Sequence, residues 1–183
     1  MVTFSSKSSV SSTLESSISF ESLCENNAED IDFVQLPFDH PLYIMYSSGT
    51  TGQPKCIVHS AGGSLIQHLK EHQLHTNIKP TDVVFYYTTC GWMMWNWLVT
   101  CLSSKASVVL FDGFPMFKKK DLLLKIASKE KVTLLGVSAK YIDALKKSNI
   151  STKYNLNHLN TICSTGSPLS EEGFNFIYKI IIV

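Results

Sequence analysis

The sequence lacks an excess of charge of either sign. Its 183 residues include 16 lysines and arginines and 15 aspartates and glutamates, so the formal net charge at pH 7 is +1. Nucleic-acid binding depends on clustered basic side chains that face phosphates, so no nucleic-acid partner is expected. The one basic run, residues 118–120, is predicted to be the solvated start of a helix.

Closely spaced cysteine pairs are also missing. The cysteines are spread along the chain without a Cys-x-x-Cys motif: Cys24, Cys56, Cys90, Cys101 and Cys163. A disulfide framework or a zinc site needs paired spacing, so neither is expected, and no metal ligand is predicted. Reduced thiols are typical of a cytosolic protein, and the Ser-rich first twenty residues lack the apolar core of a signal peptide. A cytoplasmic location is therefore the expectation.

Charge is absent altogether from residues 83–104. A run of about 20 apolar residues can cross a bilayer. Here Gly91, Asn96 and several threonines interrupt the run, and its apolar period changes midway. A buried strand followed by a helix is therefore favoured over a membrane span.

The chain as a whole divides into two parts by composition. Residues 1–32 are rich in Ser and polar residues, and we predict a flexible segment there. From residue 33 to residue 183, short apolar β-prone runs alternate with helical patterns. The predicted strands are 83–88, 107–111, 132–136 and 160–163, and the predicted helices are 92–102, 119–129, 139–147 and 170 onward. This alternation predicts an α/β fold with a mostly parallel sheet flanked by helices.

A further helix is predicted from Ser60 to about Thr76, with an inner apolar side made by Leu65, Ile66, Leu69 and Leu74. Three histidines lie on it at positions i, i+4 and i+7: His68, His72 and His75. That spacing suits a metal on one helix face, but no cysteine or carboxylate pattern completes a site. Structural or surface histidines are therefore favoured, and His59 is the histidine expected nearest to a ligand.

A Ser/Gly/Thr-rich loop lies between the β-prone runs 42–46 and 56–59, which predict two strands of a hairpin. Gly49 and Gly52 allow positive φ and a close approach of the backbone to an anion. Exposed amides and four hydroxyls would bind phosphate oxygens, and Lys55 adds a positive charge. The hydroxyls belong to Ser47, Ser48, Thr50 and Thr51. The loop therefore predicts a triphosphate site.

Two alternatives to this interpretation were weighed. A Walker loop needs Gly-x-x-x-x-Gly-Lys-Ser/Thr at the start of a helix. Here Lys55 follows a proline, no Ser or Thr comes next, and a strand follows, so that class is excluded. A plain polar turn without a ligand stays open, but ten residues in this order between two strands make it the weaker alternative.

The ten residues 46–55 resemble the signature loop of the superfamily of acyl-CoA synthetases, adenylation domains and luciferases. Further motifs resemble the acetoacetyl-CoA synthetases, namely 40–52, 55–56, 58–63, 67–72, 91–97 and 164–169. The likeness covers roughly residues 33–180. It implies that residues 33–183 form part of the large N-terminal AMP-binding domain of an adenylate-forming enzyme.

The resemblance implies a ligase with two half-reactions. Acetoacetate attacks the α-phosphate of ATP to give acetoacetyl-AMP, and coenzyme A then displaces AMP. Mg²⁺ would be shared by the phosphates. By the same resemblance, Thr50, Thr51 and Lys55 are the expected catalytic residues. The nucleotide-binding residues would be Ser47, Ser48, Gly49, Thr50, Thr51, Gly52, Lys55, Gly166, Ser167 and Pro168.

Two of the motifs also have plain structural explanations. Residues 166–168 alone would indicate a strand-to-helix turn with Ser170 as the cap, whereas the resemblance makes them part of the adenine pocket. The Trp- and Met-rich run 91–97 alone would indicate core packing. Asn96 within that run needs a hydrogen-bond partner, which a carboxylate substrate would provide. The resemblance therefore adds Trp92 and Asn96 as acyl-pocket candidates.

Several motifs of the family have no counterpart in these 183 residues: a Gly-rich, Thr-containing motif, a ribose-binding Asp, a hinge and a C-terminal domain with a catalytic Lys. The expectation is a truncated piece of the AMP-binding domain that makes no acetoacetyl-CoA alone. Two hypotheses follow. One is an acetoacetate–CoA ligase represented by a fragment, and the other is a catalytically inactive nucleotide-binding or interaction fragment.

Overall fold

The structure, a computed structural model, describes residues 2–3, 18–25, 31–47, 52–148, 150 and 154–180. The chain divides into two compact units, Met1–Leu36 and Pro37–Val183. In the first unit, strand β1 (Val2–Thr3) pairs in parallel with β2 (Ile18–Ser19), and helix α1 (Phe20–Glu25) follows. The flexible character of residues 1–32 stays a prediction.

The second unit contains two separate sheets. An antiparallel hairpin is formed by β3 (Pro41–Ser47) and β4 (Lys55–Ser60), as the sequence predicts. The other sheet is fully parallel, and its strands lie in the order β6-β5-β7-β8. Its bounds are Val83–Tyr86 for β5, Ser107–Val109 for β6, Leu134–Ser138 for β7 and Thr161–Thr165 for β8.

Helices connect these strands, so the predicted α/β fold with a helix-flanked parallel sheet is confirmed. Helix α2 (Ala61–Lys70) runs into a π-helical turn, Glu71–His75, and α3 (Met93–Thr100) runs into a 3₁₀ turn, Cys101–Ser104. The remaining helices are α4 (Leu122–Lys129), α5 (Ala139–Lys146) and α6 (Glu171–Ile180). Among the residues that the structure describes, no helix is long and apolar enough to cross a membrane.

The parallel sheet buries both of its faces because successive side chains of a strand point to opposite sides. On one face Val84 and Tyr86 pack with Trp97 and Leu98 of α3. On the other face Phe85, Leu135 and Val137 pack with residues of α4, α5 and α6, namely Leu123, Leu124, Ile142, Leu145 and Ile177. Strands that are apolar on both sides are typical of parallel sheets covered by helices.

Two neighbouring strands approach each other closely at Gly136 of β7. A Cβ added to Gly136 would collide with the ring of Tyr86 on β5. Tyr86 is only 4% exposed and packs between the sheet and Trp97, with the two rings 5.8 Å apart in an edge-on arrangement. Glycine at position 136 therefore makes room for the buried tyrosine.

The predicted inner side of α2 was wrong. Leu65, Ile66 and Leu74 are 44%, 59% and 77% exposed, whereas Ser64, His68 and His72 are buried. The reason is that α2 faces α3 through side chains that hydrogen-bond across the helix interface, and this turns the leucine side outward. The basic run 118–120 is exposed as predicted, but it precedes the helix, which begins only at Leu122.

Candidate nucleotide-binding site

The hairpin fixes the two ends of the predicted phosphate loop. Ser47, the last residue of β3, pairs directly with Lys55, the first residue of β4. The loop is therefore the connection between these two paired residues. Ser48, Gly49, Thr50 and Thr51 lie outside the described residues, so their predicted roles stay predictions.

The described part of the loop is open to solvent. Gly52 has a φ of 159°, close to extended backbone, and nothing lies within 4 Å of the place where a Cβ would stand. Lys55 is exposed, and its side chain makes no ion pair or hydrogen bond with any other described residue. A free ammonium group beside open backbone can accept an anion without first breaking another contact.

The predicted adenine-binding turn follows β8 at the carboxyl end of the parallel sheet. Gly166 has a φ of 88°, a left-handed conformation that disfavours side chains, while Ser167 and Pro168 are exposed. Ser170 then caps α6 by accepting a hydrogen bond from the Gly173 amide at 3.2 Å. In open α/β sheets, ligands bind at this edge, so the turn has both the plain structural role and an accessible position.

The two acyl-pocket candidates differ in their surroundings. Trp92 precedes α3 and is 56% exposed. Asn96 is half-buried, and its amide donates a 3.5 Å hydrogen bond to the thioether of Met45 on β3. This contact joins α3 to the hairpin. Among the described residues, no hydrogen bond, ion pair or ring contact joins the hairpin to the turn 166–168.

A cavity of about 410 Å³ lies beneath the hairpin, between β4, α2 and α3. His59, which the sequence analysis expected near a ligand, lines this cavity beside Tyr43, and their ring centroids are 5.2 Å apart. His68, Glu71 and Trp97 line the same cavity. Sequence reasoning missed Glu71 and Trp97 because nothing in the local pattern indicates that they meet.

Glu71 and Trp97 are part of a hydrogen-bonded network that ties α2 to α3. The Trp97 indole donates to one Glu71 carboxylate oxygen at 3.0 Å, and the Gln67 amide donates to the other at 2.7 Å. His68 Nδ1 lies 3.0 Å from the Thr100 hydroxyl. The network holds the helix that follows the loop against the helix that carries Trp92.

Burial governs the titration of this network. His72 is fully buried, with its ring edge-on to Trp97 and its Nε2 3.4 Å from the Cys101 sulfur. Burial, with help from His68, lowers the pKa of His72 to about 4, and burial also lowers the pKa of His68. Both rings are therefore neutral at pH 7. No group of three His, Cys, Asp or Glu side chains in the described ranges is arranged to hold a metal.

Comparison with known proteins agrees with this geometry. Residues 4–183 match the family described as AMP-binding enzyme. The chain belongs to the AMP-binding enzyme family. This membership agrees with an open loop between two paired strands and a glycine turn at the ligand-binding edge of the sheet.

Curated members of the AMP-binding enzyme family resemble the chain over most of its length. The chain is 53% identical over 158 residues to the acetoacetyl-CoA synthetase of Gallus gallus, which covers 85% of this chain and 24% of that protein. It is 52% identical over 149 residues to the acetoacetyl-coenzyme A synthetase of Rhizobium meliloti, covering 80% and 23% respectively. The chain thus spans about a quarter of the length of these relatives.

A solved structure of an AMP-binding enzyme has the same fold. It is the acetoacetyl-CoA synthetase from Streptomyces lividans, with a TM-score of 0.84 and 41% sequence identity. The match covers 92% of this chain and 26% of that one. The resemblance stated from the motifs is therefore confirmed at the level of sequence and fold.

Proposed function

We propose that this chain carries the nucleotide-binding hairpin of an adenylate-forming ligase that activates acetoacetate with ATP and transfers it to coenzyme A. The observation that carries the proposal is the pairing of Ser47 with Lys55 at the base of the loop, in a chain 53% identical to an acetoacetyl-CoA synthetase. Because the chain spans 24% of that relative, the whole reaction and its substrates are proposals.

In the proposed first half-reaction, a carboxylate oxygen of acetoacetate attacks the α-phosphorus of ATP and pyrophosphate leaves. In the second, the coenzyme A thiol attacks the acyl carbonyl, loses its proton, and AMP leaves. The Lys55 ammonium and the hydroxyls of Ser47, Ser48, Thr50 and Thr51 would bind the β- and γ-phosphates. Orienting and neutralising the leaving pyrophosphate is an electrostatic task that preorganised donors perform well.

The other predicted residues take complementary roles in the proposal. Gly166, Ser167 and Pro168 would form one wall of the adenine pocket, and Trp92 with Asn96 would border the acyl group. Mg²⁺ would accompany the ATP phosphates. Since the described residues hold no cluster of three metal-binding side chains, we assign no protein ligand to Mg²⁺ and derive no step through it.

Nucleotide binding is the part of the proposal that this chain can test directly. Titration calorimetry with ATP should give saturable binding, and Lys55→Ala should weaken it about tenfold or more because a hydrogen bond to a charged group is lost. Lys140→Ala is the matched control, since Lys140 is an exposed lysine on α5 and should leave the affinity unchanged. Equal affinity of the Lys55→Ala variant and the unaltered chain would contradict a phosphate-binding loop.

A second candidate is a nucleotide-binding protein without turnover. It is favoured by the fact that the chain spans only a quarter of the length of its relatives. Incubation with ATP, acetoacetate and coenzyme A, followed by assays for AMP and thioester, separates the candidates. Product formation that Lys55→Ala abolishes supports the ligase, and ATP binding without product supports the second candidate.

A further inference from the structure

Strand β8 is an edge strand of the parallel sheet. It pairs with β7 on one side, and no described strand pairs with its other side. The Thr161 amide donates to the Thr133 carbonyl at 3.1 Å. Because backbone groups alternate in direction along a strand, the amides and carbonyls of Ile162 and Ser164 point away from β7. These groups are available to a further strand.

The edge also lacks the devices that usually prevent strand pairing. Proteins protect exposed edges with Pro, Lys, charged residues pointing inward, or bulges. The β8 sequence Thr-Ile-Cys-Ser-Thr contains no charge and no proline, and its register with β7 is regular over all five residues. An unprotected edge of this kind is a template for strand addition.

A groove of about 490 Å³ runs beside this edge, between β8 and α6. Its floor and far wall are mainly apolar: Ile162, Leu169, Phe174, Ile177 and Tyr178. Phe174 and Tyr178 are 51% and 65% exposed. The buried hydroxyl of Ser164 has no hydrogen-bond partner among the described residues. An apolar groove with one unpaired hydroxyl fits a strand whose alternate side chains are apolar.

The topology indicates the direction of the missing strand. Every ladder of this sheet is parallel, and α6 follows β8 directly after its cap. A strand–helix–strand unit brings its second strand parallel to the first by a right-handed crossover in nearly all proteins. The solved relative is much longer, since the match covers 26% of its chain.

We propose that the outer edge of β8 and the groove beside α6 form a docking surface for a parallel β-strand, supplied by the part of an AMP-binding enzyme that follows this region. The docked strand hydrogen-bonds to Ile162 and Ser164 of β8. It inserts apolar side chains against Phe174 and Ile177 and accepts the Ser164 hydroxyl. This inference concerns assembly, and it does not depend on which reaction the family member catalyses.

The probe is the polypeptide of the Gallus gallus acetoacetyl-CoA synthetase that follows the stretch matching this chain, expressed separately. Its binding to the full 183-residue chain is measured by biolayer interferometry. Ser164→Pro removes the outward amide and the hydroxyl, whereas Ser164→Ala removes the hydroxyl alone. Proline is tolerated at edge positions whose amide faces away from the sheet, so both variants are expected to fold, which circular dichroism checks.

We expect saturable binding that Ser164→Pro weakens at least tenfold and Ser164→Ala weakens no more than about threefold. Phe174→Glu, which charges the groove without touching β8, should also weaken binding tenfold. Leu110→Glu is its control, because Leu110 is another exposed apolar residue, 62% accessible, next to β6 at the opposite edge of the sheet.

Three results would overturn the proposal. The first is no binding of the probe, and the second is binding that Ser164→Pro and Phe174→Glu leave unchanged. The third is a dimer of the unaltered chain in sedimentation equilibrium that Ser164→Pro dissociates, because a second copy would then occupy the edge. If Ser164→Pro does not fold, the Phe174→Glu and Leu110→Glu pair decides the question alone.

Discussion

At position 136 the parallel sheet leaves no room for a side chain. The ring of buried Tyr86 occupies the place where a Cβ of Gly136 would stand. Gly136→Ala should therefore lower the free energy of unfolding by about 1–3 kcal/mol through overpacking, measured by urea denaturation. Gly91→Ala is the control because a Cβ there meets nothing within 4 Å. If both variants lose the same stability, the clash with Tyr86 is not the cause.

Individual residues also show the limits of prediction from sequence. The hairpin was predictable because β-prone runs flank a Gly-rich loop, and such local signals fix Ser47 and Lys55 at its base. The partner of Asn96 was not predictable, because Met45 lies 51 residues away and the two meet only when α3 packs on the hairpin. The predicted roles of residues 48–51 and of Trp92 stay predictions.

At the scale of elements, α2 and α3 are joined through the two carboxylate oxygens of Glu71. Glu71→Gln keeps the size of the side chain but places an amide group opposite the Gln67 amide, so one of the two hydrogen bonds is lost. We expect a loss of about 1–2 kcal/mol of unfolding free energy, measured by urea denaturation.

Glu130→Gln is the matched control for that substitution. Glu130 pairs with Lys129 on the surface, at 3.1 Å with both side chains exposed, and such pairs contribute less than about 1 kcal/mol. A Glu71→Gln variant as stable as Glu130→Gln would mean that the network does not hold the two helices together.

The same pair of elements explains why the burial of α2 was predicted wrongly. Helical periodicity places the leucines on one side, and hydrophobicity alone assigns that side to the core. The interface instead buries His68 and His72, since Thr100, Cys101 and Trp97 of the neighbouring helix and turn contact these rings. The strands were predicted well because their apolar runs are buried whichever way they face.

At the scale of the whole molecule, stability should fall on acidification. His72 has a pKa of about 4 in the folded chain and 6.5 when unfolded. Above pH 6.5 both states hold the neutral ring, so nothing is lost there. As pH falls from 6.5 to 4, only the unfolded state takes up the proton, and about 3 kcal/mol is lost. Burial of His68 acts in the same direction.

Urea denaturation at a series of pH values measures this loss. In His72→Gln the part of the slope between pH 6.5 and 4 that His72 causes should disappear. His75→Gln, at an exposed histidine of the same π-helical turn, should retain the full slope. A His72→Gln variant whose stability depends on pH as strongly as that of the unaltered chain would contradict the assignment.

The burial pattern of the cysteines has a chemical consequence. Thiolates, rather than thiols, react with alkylating agents. Burial raises the pKa of Cys101 to about 12 and also raises the pKa of Cys163, whereas Cys24, Cys56 and Cys90 are exposed. Iodoacetamide should therefore modify these three thiols first, and Cys101 only when the sheet and α3 separate. The order of alkylation, read by mass spectrometry, reports the opening of the core without any added label.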